Sequence, residues 1–143
     1  MREMTYDQTL NVEARAAWNV LADFGAFLDW NPMDVPYSVT GDGIGMVRTL
    51  DIPGLGAIGE RLDACDAESM RIAYSLTEGE PLGMQTYNAE VSLEDHGNGT
   101  CTMHWVGRFT GAEGADLDEM ANNVRGSYQN MSNALEHNVQ ANG

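Results

Sequence analysis

The stretch IPGLGAIGERLD, residues 52–63, holds Gly54, Gly56 and Gly59 in the spacing G-x-G-x-x-G. That spacing is the fingerprint of a dinucleotide-binding turn, where a buried strand enters the glycines and a helix leaves them with its N-terminus on the pyrophosphate. Here Gly59 is followed by Glu-Arg-Leu-Asp-Ala-Cys-Asp, which alternates like a strand and then turns into another alternating run. An acidic residue about 20 positions on exists (Glu78 or Glu80), but acid is everywhere in this chain and no parallel βαβ unit surrounds the motif. The glycines belong to a hairpin loop, and a nucleotide enzyme is not expected.

Period two extends outward from that hairpin. Met46, Arg48, Leu50 and Ile52 share one face, and Ile58, Glu60, Leu62 and Ala64 share the next. Met70, Ile72, Tyr74 and Leu76 follow, then Tyr87, Ala89, Val91 and Leu93, and finally Met103, Trp105, Gly107 and Phe109. Turns rich in glycine or acidic-polar residues separate the runs. A loop at 97–99 sets Leu93 opposite Met103, Val91 opposite Trp105 and Tyr87 opposite Phe109, so the apolar partners share a face. A loop at 53–55 likewise sets Arg48 opposite Glu60 on the apolar face. An unpaired buried charge is expensive, so these two are expected to pair.

Residues 4–10 predict a first strand. Asn11 is the expected cap of a helix with Ala14, Ala17, Trp18, Leu21 and Ala22 on one face. A short second helix begins at Asp23-Phe24-Gly25 and ends at Trp30-Asn31-Pro32. At the far end Leu117, Met120, Val124, Tyr128, Met131, Leu135 and Val139 recur at steps of three and four, the mark of a long helix. Gly126 inside it costs roughly 1 kcal/mol relative to alanine, and close packing on the sheet is the expected reason. The predicted fold is α+β: a curved antiparallel sheet of about seven strands wrapped around the last helix, with two short helices after strand 1. Residues 1–143 form one domain in this reading, with a cavity between sheet and helix.

Charge excludes several partners. There are 22 acidic residues against seven basic ones, all arginine, and the net charge is −15. Nucleic acid and anionic membranes would be repelled, and without lysine no side-chain Schiff base can form. No apolar run approaches the roughly 20 residues of a membrane span, so no membrane insertion is expected. Met1–Asp7 lacks the apolar segment of a secretory signal, and the expected location is the cytoplasm. Cys65 and Cys101 have no motif spacing and are expected to be buried small hydrophobes. His104 falls on the outer face, His96 in a turn and His137 near the C-terminus. No metal or cofactor is expected, and no serine or cysteine has a visible base partner.

VEARAAWNVLADFGAFLDWNP (12–32) resembles the opening of the START/Bet v 1-like superfamily, also called SRPBCC or polyketide cyclase/dehydrase-like proteins. The resemblance continues through GDGIGMVRTL (41–50), GERLDACDAESMRIAYSL (59–76), TMHWVGRF (102–109) and the terminal helix. It implies a helix-grip fold and a ligand cavity. Residues 53–87 are similar to the plant abscisic-acid receptors and their bacterial relatives. PGLGA stands in the place of the receptors' gate loop and SLTEGEPLGMQTY in that of the latch. Pro81-Leu82 replaces the latch His-Arg pair, and the receptors' carboxylate-binding lysine is missing, so abscisic-acid sensing is not expected.

Two functions are weighed. One is binding of a mainly apolar small molecule such as a lipid, terpenoid or polyketide, by a monomer or weak homodimer. The other is an aromatase/cyclase-type enzyme using the same cavity, with Arg48, Glu60, Tyr74 and Tyr87 as acid–base candidates. Either way these four supply the polar groups, and the resemblance matches Glu60 to a receptor glutamate that lines the ligand pocket. Leu50, Leu55, Ile58 and Leu76 from the sheet side are expected to form walls. Trp105, Phe109, Met120, Val124 and Tyr128 complete them.

Overall fold

Strands that each carry one apolar row must bury those rows together, and a helix laid across them does so. The structure is a computed structural model that describes residues 1–142. Strand β1 (Arg2–Leu10) leads to helix α1 (Ala14–Leu21), a 3₁₀ turn at Phe24–Ala26 and the short helix α2 (Phe27–Trp30). Strands β2 (Tyr37–Thr40), β3 (Val47–Ile52), β4 (Gly56–Asp66) and β5 (Arg71–Glu78) follow. A 3₁₀ turn at Pro81–Gly83 opens into β6 (Met84–Asp95), β7 (Cys101–Gly111) and the long helix α3 (Leu117–Asn142). The strands make one seven-stranded sheet in the order β1-β7-β6-β5-β4-β3-β2, antiparallel throughout. This is the helix-grip fold that the sequence predicts. Helices α1 and α2 carry the chain from one sheet edge, β1, to the other, β2.

The hairpin registers are those expected: Arg48 faces Glu60, and Ile52 faces Gly56 across the 53–55 loop. Leu93 faces Met103, Val91 faces Trp105 and Tyr87 faces Phe109. Gly54 and Gly56 take φ of +85° and +80° in the turn, a region that favours glycine. Gly59 is needed for another reason, because a Cβ there would lie 2.7 Å from Thr77 Oγ1. The G-x-G-x-x-G spacing thus combines a tight turn with a close strand approach.

The β4–β5 register slips between Gly59 and Glu60 and again between Leu62 and Ala64. Such bulges bend a strand and raise its twist, which lets the sheet curve around α3. The second slip overrides strict alternation. Ala64 pairs with Ala73 and leaves the inward row of Leu62 and Tyr74. Beyond that slip Cys65 is exposed, contrary to expectation, whereas Cys101 is buried.

Asn11 does not cap α1. The N-cap is Glu13, without a side-chain bond, and the Asn11 backbone N–H donates instead to Glu136 Oε2 at 2.6 Å. Helix α3 does have a cap: Asp116 Oδ1 accepts from the backbone N–H groups of Asp118 and Glu119, both at 3.1 Å. Its inward row buries Val124, Tyr128, Leu135 and Val139, and the Tyr128 ring stacks on Trp105 with centroids 4.3 Å apart. Among the described residues no helix is long and apolar enough to cross a membrane.

Candidate functional site

Curvature leaves a cavity of about 670 Å³ between the sheet and α3. Strands β3 and β4 present Arg48, Leu50, Ile58 and Glu60 to it, β5 and β6 present Tyr74 and Tyr87, and α3 presents Val124 and Tyr128. Leu55, at the tip of the 53–55 loop, lines the mouth and is 55% exposed. The other expected wall residues lie elsewhere. Trp105 is covered by the stacked Tyr128 ring, and Phe109 is sealed in the core. Leu76 packs half-buried against the core, and Met120 turns toward a smaller depression beside Asp116 and Glu119.

Several lining residues escaped the sequence reading. Phe27 and Met33 come from the irregular α2 passage, and Pro81 and Leu82 from the second mouth turn, where no periodicity points inward. Asn123, Ser127 and Asn130 also line the cavity, at steps of four and three along α3. That spacing was readable as a polar flank beside the apolar row. Gly126 belongs to the same flank. An added Cβ would meet nothing within 4 Å, so close packing is not the reason for this glycine.

At the polar centre Arg48 Nε donates to Glu60 Oε1 at 3.0 Å, and Nη1 donates to the Phe24 carbonyl at 3.3 Å. The guanidinium carbon lies 3.9 Å from the Phe24 ring centroid and 4.2 Å from that of Phe27. Cation–π attraction in this buried setting adds to the ion pair. Arg48 therefore fastens the Phe24–Ala26 turn to β3, and Tyr37 assists by donating its hydroxyl to the Gly25 carbonyl at 2.7 Å. Glu60 Oε2 accepts no hydrogen bond from the protein among the described residues, although the side chain lines the cavity.

Three tyrosines stand beside this pair. The Tyr87 and Tyr128 hydroxyls meet at 2.5 Å, and the Tyr74 ring lies 6.1 Å from that of Tyr87, edge-on. The Tyr74 hydroxyl is near enough to Tyr87 to interact with it, without a hydrogen bond of normal geometry among the described residues. Burial pushes all three phenols above their ordinary range, and the Glu60 carboxylate acts in the same direction. They are neutral O–H groups at any ordinary pH. Gly107 on β7 makes room for them, since a Cβ there would lie 2.5 Å from Tyr128 Oη.

On the outer sheet face His104 Nδ1 lies 2.7 Å from Asp7 and Nε2 lies 2.9 Å from Glu94. Among the described residues no group of three His, Cys, Asp or Glu side chains is placed to hold a metal ion.

A curved antiparallel sheet gripping a C-terminal helix, with a mainly apolar cavity between them, defines a Bet v 1-like protein. Residues 1–140 match the family described as "Polyketide cyclase / dehydrase and lipid transport", and the chain belongs to that family. Among solved structures, the protein XoxI from Bacillus cereus is 24% identical, with a TM-score of 0.78 over 96% of this chain and 94% of that one. Norcoclaurine synthase from Thalictrum flavum, in complex with dopamine and hydroxybenzaldehyde, is 17% identical with a TM-score of 0.79, over 99% of this chain and 88% of that one. An uncharacterised Bacillus thuringiensis protein is 24% identical with a TM-score of 0.78, over 97% and 99% of the two chains. At these identities the likeness establishes the fold. No curated protein matches the sequence significantly.

Proposed function

We propose that the protein binds a mainly apolar small molecule, of the lipid, terpenoid or polyketide kind, between the sheet and α3. One observation carries this. In a chain of net charge −15, the only charged side chains lining the cavity among the described residues are Arg48 and Glu60, and they pair with each other. An apolar lining with a few convergent polar groups is the usual makeup of a small-molecule site. Glu60 Oε2 then anchors a ligand O–H or N–H.

Native mass spectrometry of freshly purified protein, followed by extraction, is expected to show a stoichiometric apolar adduct. Bare protein that also takes up no added fatty acid, terpenoid or polyketide would sink the proposal. Glu60→Gln keeps an acceptor for Arg48 Nε but removes the carboxylate. Ligand affinity is expected to fall about tenfold while the ligand-free protein stays folded. An equal loss of stability with and without ligand would make Glu60 a structural partner of Arg48 only.

The family description supports a second reading, a cyclase or aromatase, with Arg48, Glu60, Tyr74 and Tyr87 converging on a bound polyketide. Loss of water from an added poly-β-ketone, abolished in Glu60→Gln, would select it over simple binding.

A further inference from the structure

The Tyr87 and Tyr128 side chains are buried, yet both line the cavity. Each hydroxyl carries one hydrogen, and among the described residues each has only the other as a hydrogen-bond partner. One hydrogen fills the bond between them. The other O–H has no protein acceptor. Adding Tyr74 does not change the count, because a linear chain of hydroxyls with no outside acceptor always ends in one unused O–H. Both side chains line the cavity, so an acceptor for the spare O–H has to come from there.

We propose that the Tyr87–Tyr128 pair is a binding site for a neutral acceptor oxygen, so that the ligand carries a carbonyl held by this donor. The inference rests on the cavity being a ligand site and specifies which ligands it takes. The bond between the two phenols polarises the outer O–H and strengthens it as a donor. A buried donor left unpaired is expensive, which penalises a ligand without an acceptor at that position. Gly107 serves the same end by letting Tyr128 Oη approach β7 and reach Tyr87. Pure hydrocarbon chains and saturated terpenes are disfavoured. Ketones, enones and polyketide-type carbonyl compounds are favoured.

Benzophenone and diphenylmethane test this, because they share size and shape and differ in one carbonyl. Their dissociation constants are measured by equilibrium dialysis against the wild type and against Tyr87→Phe/Tyr128→Phe. The double variant removes both hydroxyls together and leaves no orphaned partner between them, so folding is retained; thermal unfolding verifies this. Benzophenone is expected to bind the wild type at least as tightly as diphenylmethane, despite being better hydrated in water. In the double variant it should weaken about tenfold while diphenylmethane is unchanged. Tighter binding of diphenylmethane to the wild type, or equal changes for both probes on substitution, would overturn the carbonyl site and leave the cavity as a ligand site. Binding of neither probe would overturn this inference, whereas the cavity proposal is decided by the native mass spectrometry and uptake of added ligands described above.

Discussion

Gly107 shows how a single absent side chain shapes the site. It sits in the inward row of β7 between Trp105 and Phe109, where alternation calls for a large apolar residue. A methyl group there would stand 2.5 Å from Tyr128 Oη and 3.4 Å from Cζ. Gly107→Ala is therefore expected to push Tyr128 off the sheet, break its bond to Tyr87 and destabilise the protein by about 1–3 kcal/mol. Chemical denaturation measures the loss, and an unchanged midpoint would refute the close fit. Arg48 is a second residue with two duties, since it pairs with Glu60 and also ties the Phe24 carbonyl to β3. The opposition of Arg48 and Glu60 was readable from the hairpin loop. The Phe24 contact was not, because it joins residues 24 positions apart through a segment with no periodicity.

Among the elements, α3 divides its labour along two faces. One buries Val124, Tyr128, Leu135 and Val139, and the neighbouring flank presents Asn123, Gly126, Ser127 and Asn130 to the cavity. Glycine in a helix interior costs about 1 kcal/mol relative to alanine. Nothing crowds the missing Cβ of Gly126, so Gly126→Ala is expected to raise stability by roughly 0.4–1 kcal/mol, measurable as a higher melting temperature. A drop instead would mean that the helix needs the glycine in some way its surroundings do not show. The two mouth turns were placed correctly as turns, but their inward aim depends on the curvature produced by the β4–β5 slips.

At the scale of the whole molecule, Glu60 is the one acidic side chain lining the cavity among the described residues, and part of the remaining acid is organised into ladders on the sheet. Glu3, Arg108, Glu90 and Arg71 link β1, β7, β6 and β5 at 2.9, 3.9 and 2.6 Å, and His104 bridges Asp7 on β1 to Glu94 on β6. Partial burial opposes charging of His104, but the hydrogen bonds to Asp7 and Glu94 outweigh it and raise its pKa above the ordinary 6.5. A raised pKa favours the protonated folded state. This stabilisation is complete below about pH 6.5 and is lost as pH climbs through the raised value. His104→Asn is expected to lower the melting temperature at pH 6 and to do so less at pH 8, by an amount below about 1 kcal/mol because the group is partly exposed. A pH-independent difference would show that the imidazole acts without its charge. The sequence by itself determined the element order, the β3–β4 and β6–β7 registers and with them the meeting of Arg48 with Glu60, because these depend on periods of two and 3.6 and on loop lengths, all local quantities. Only the tertiary structure decided where β1 joins the sheet, how its bulges curve it, and which inward residues face the cavity instead of the packed core. Those outcomes depend on contacts between distant segments, such as Tyr128 covering Trp105 and entering the space left by Gly107.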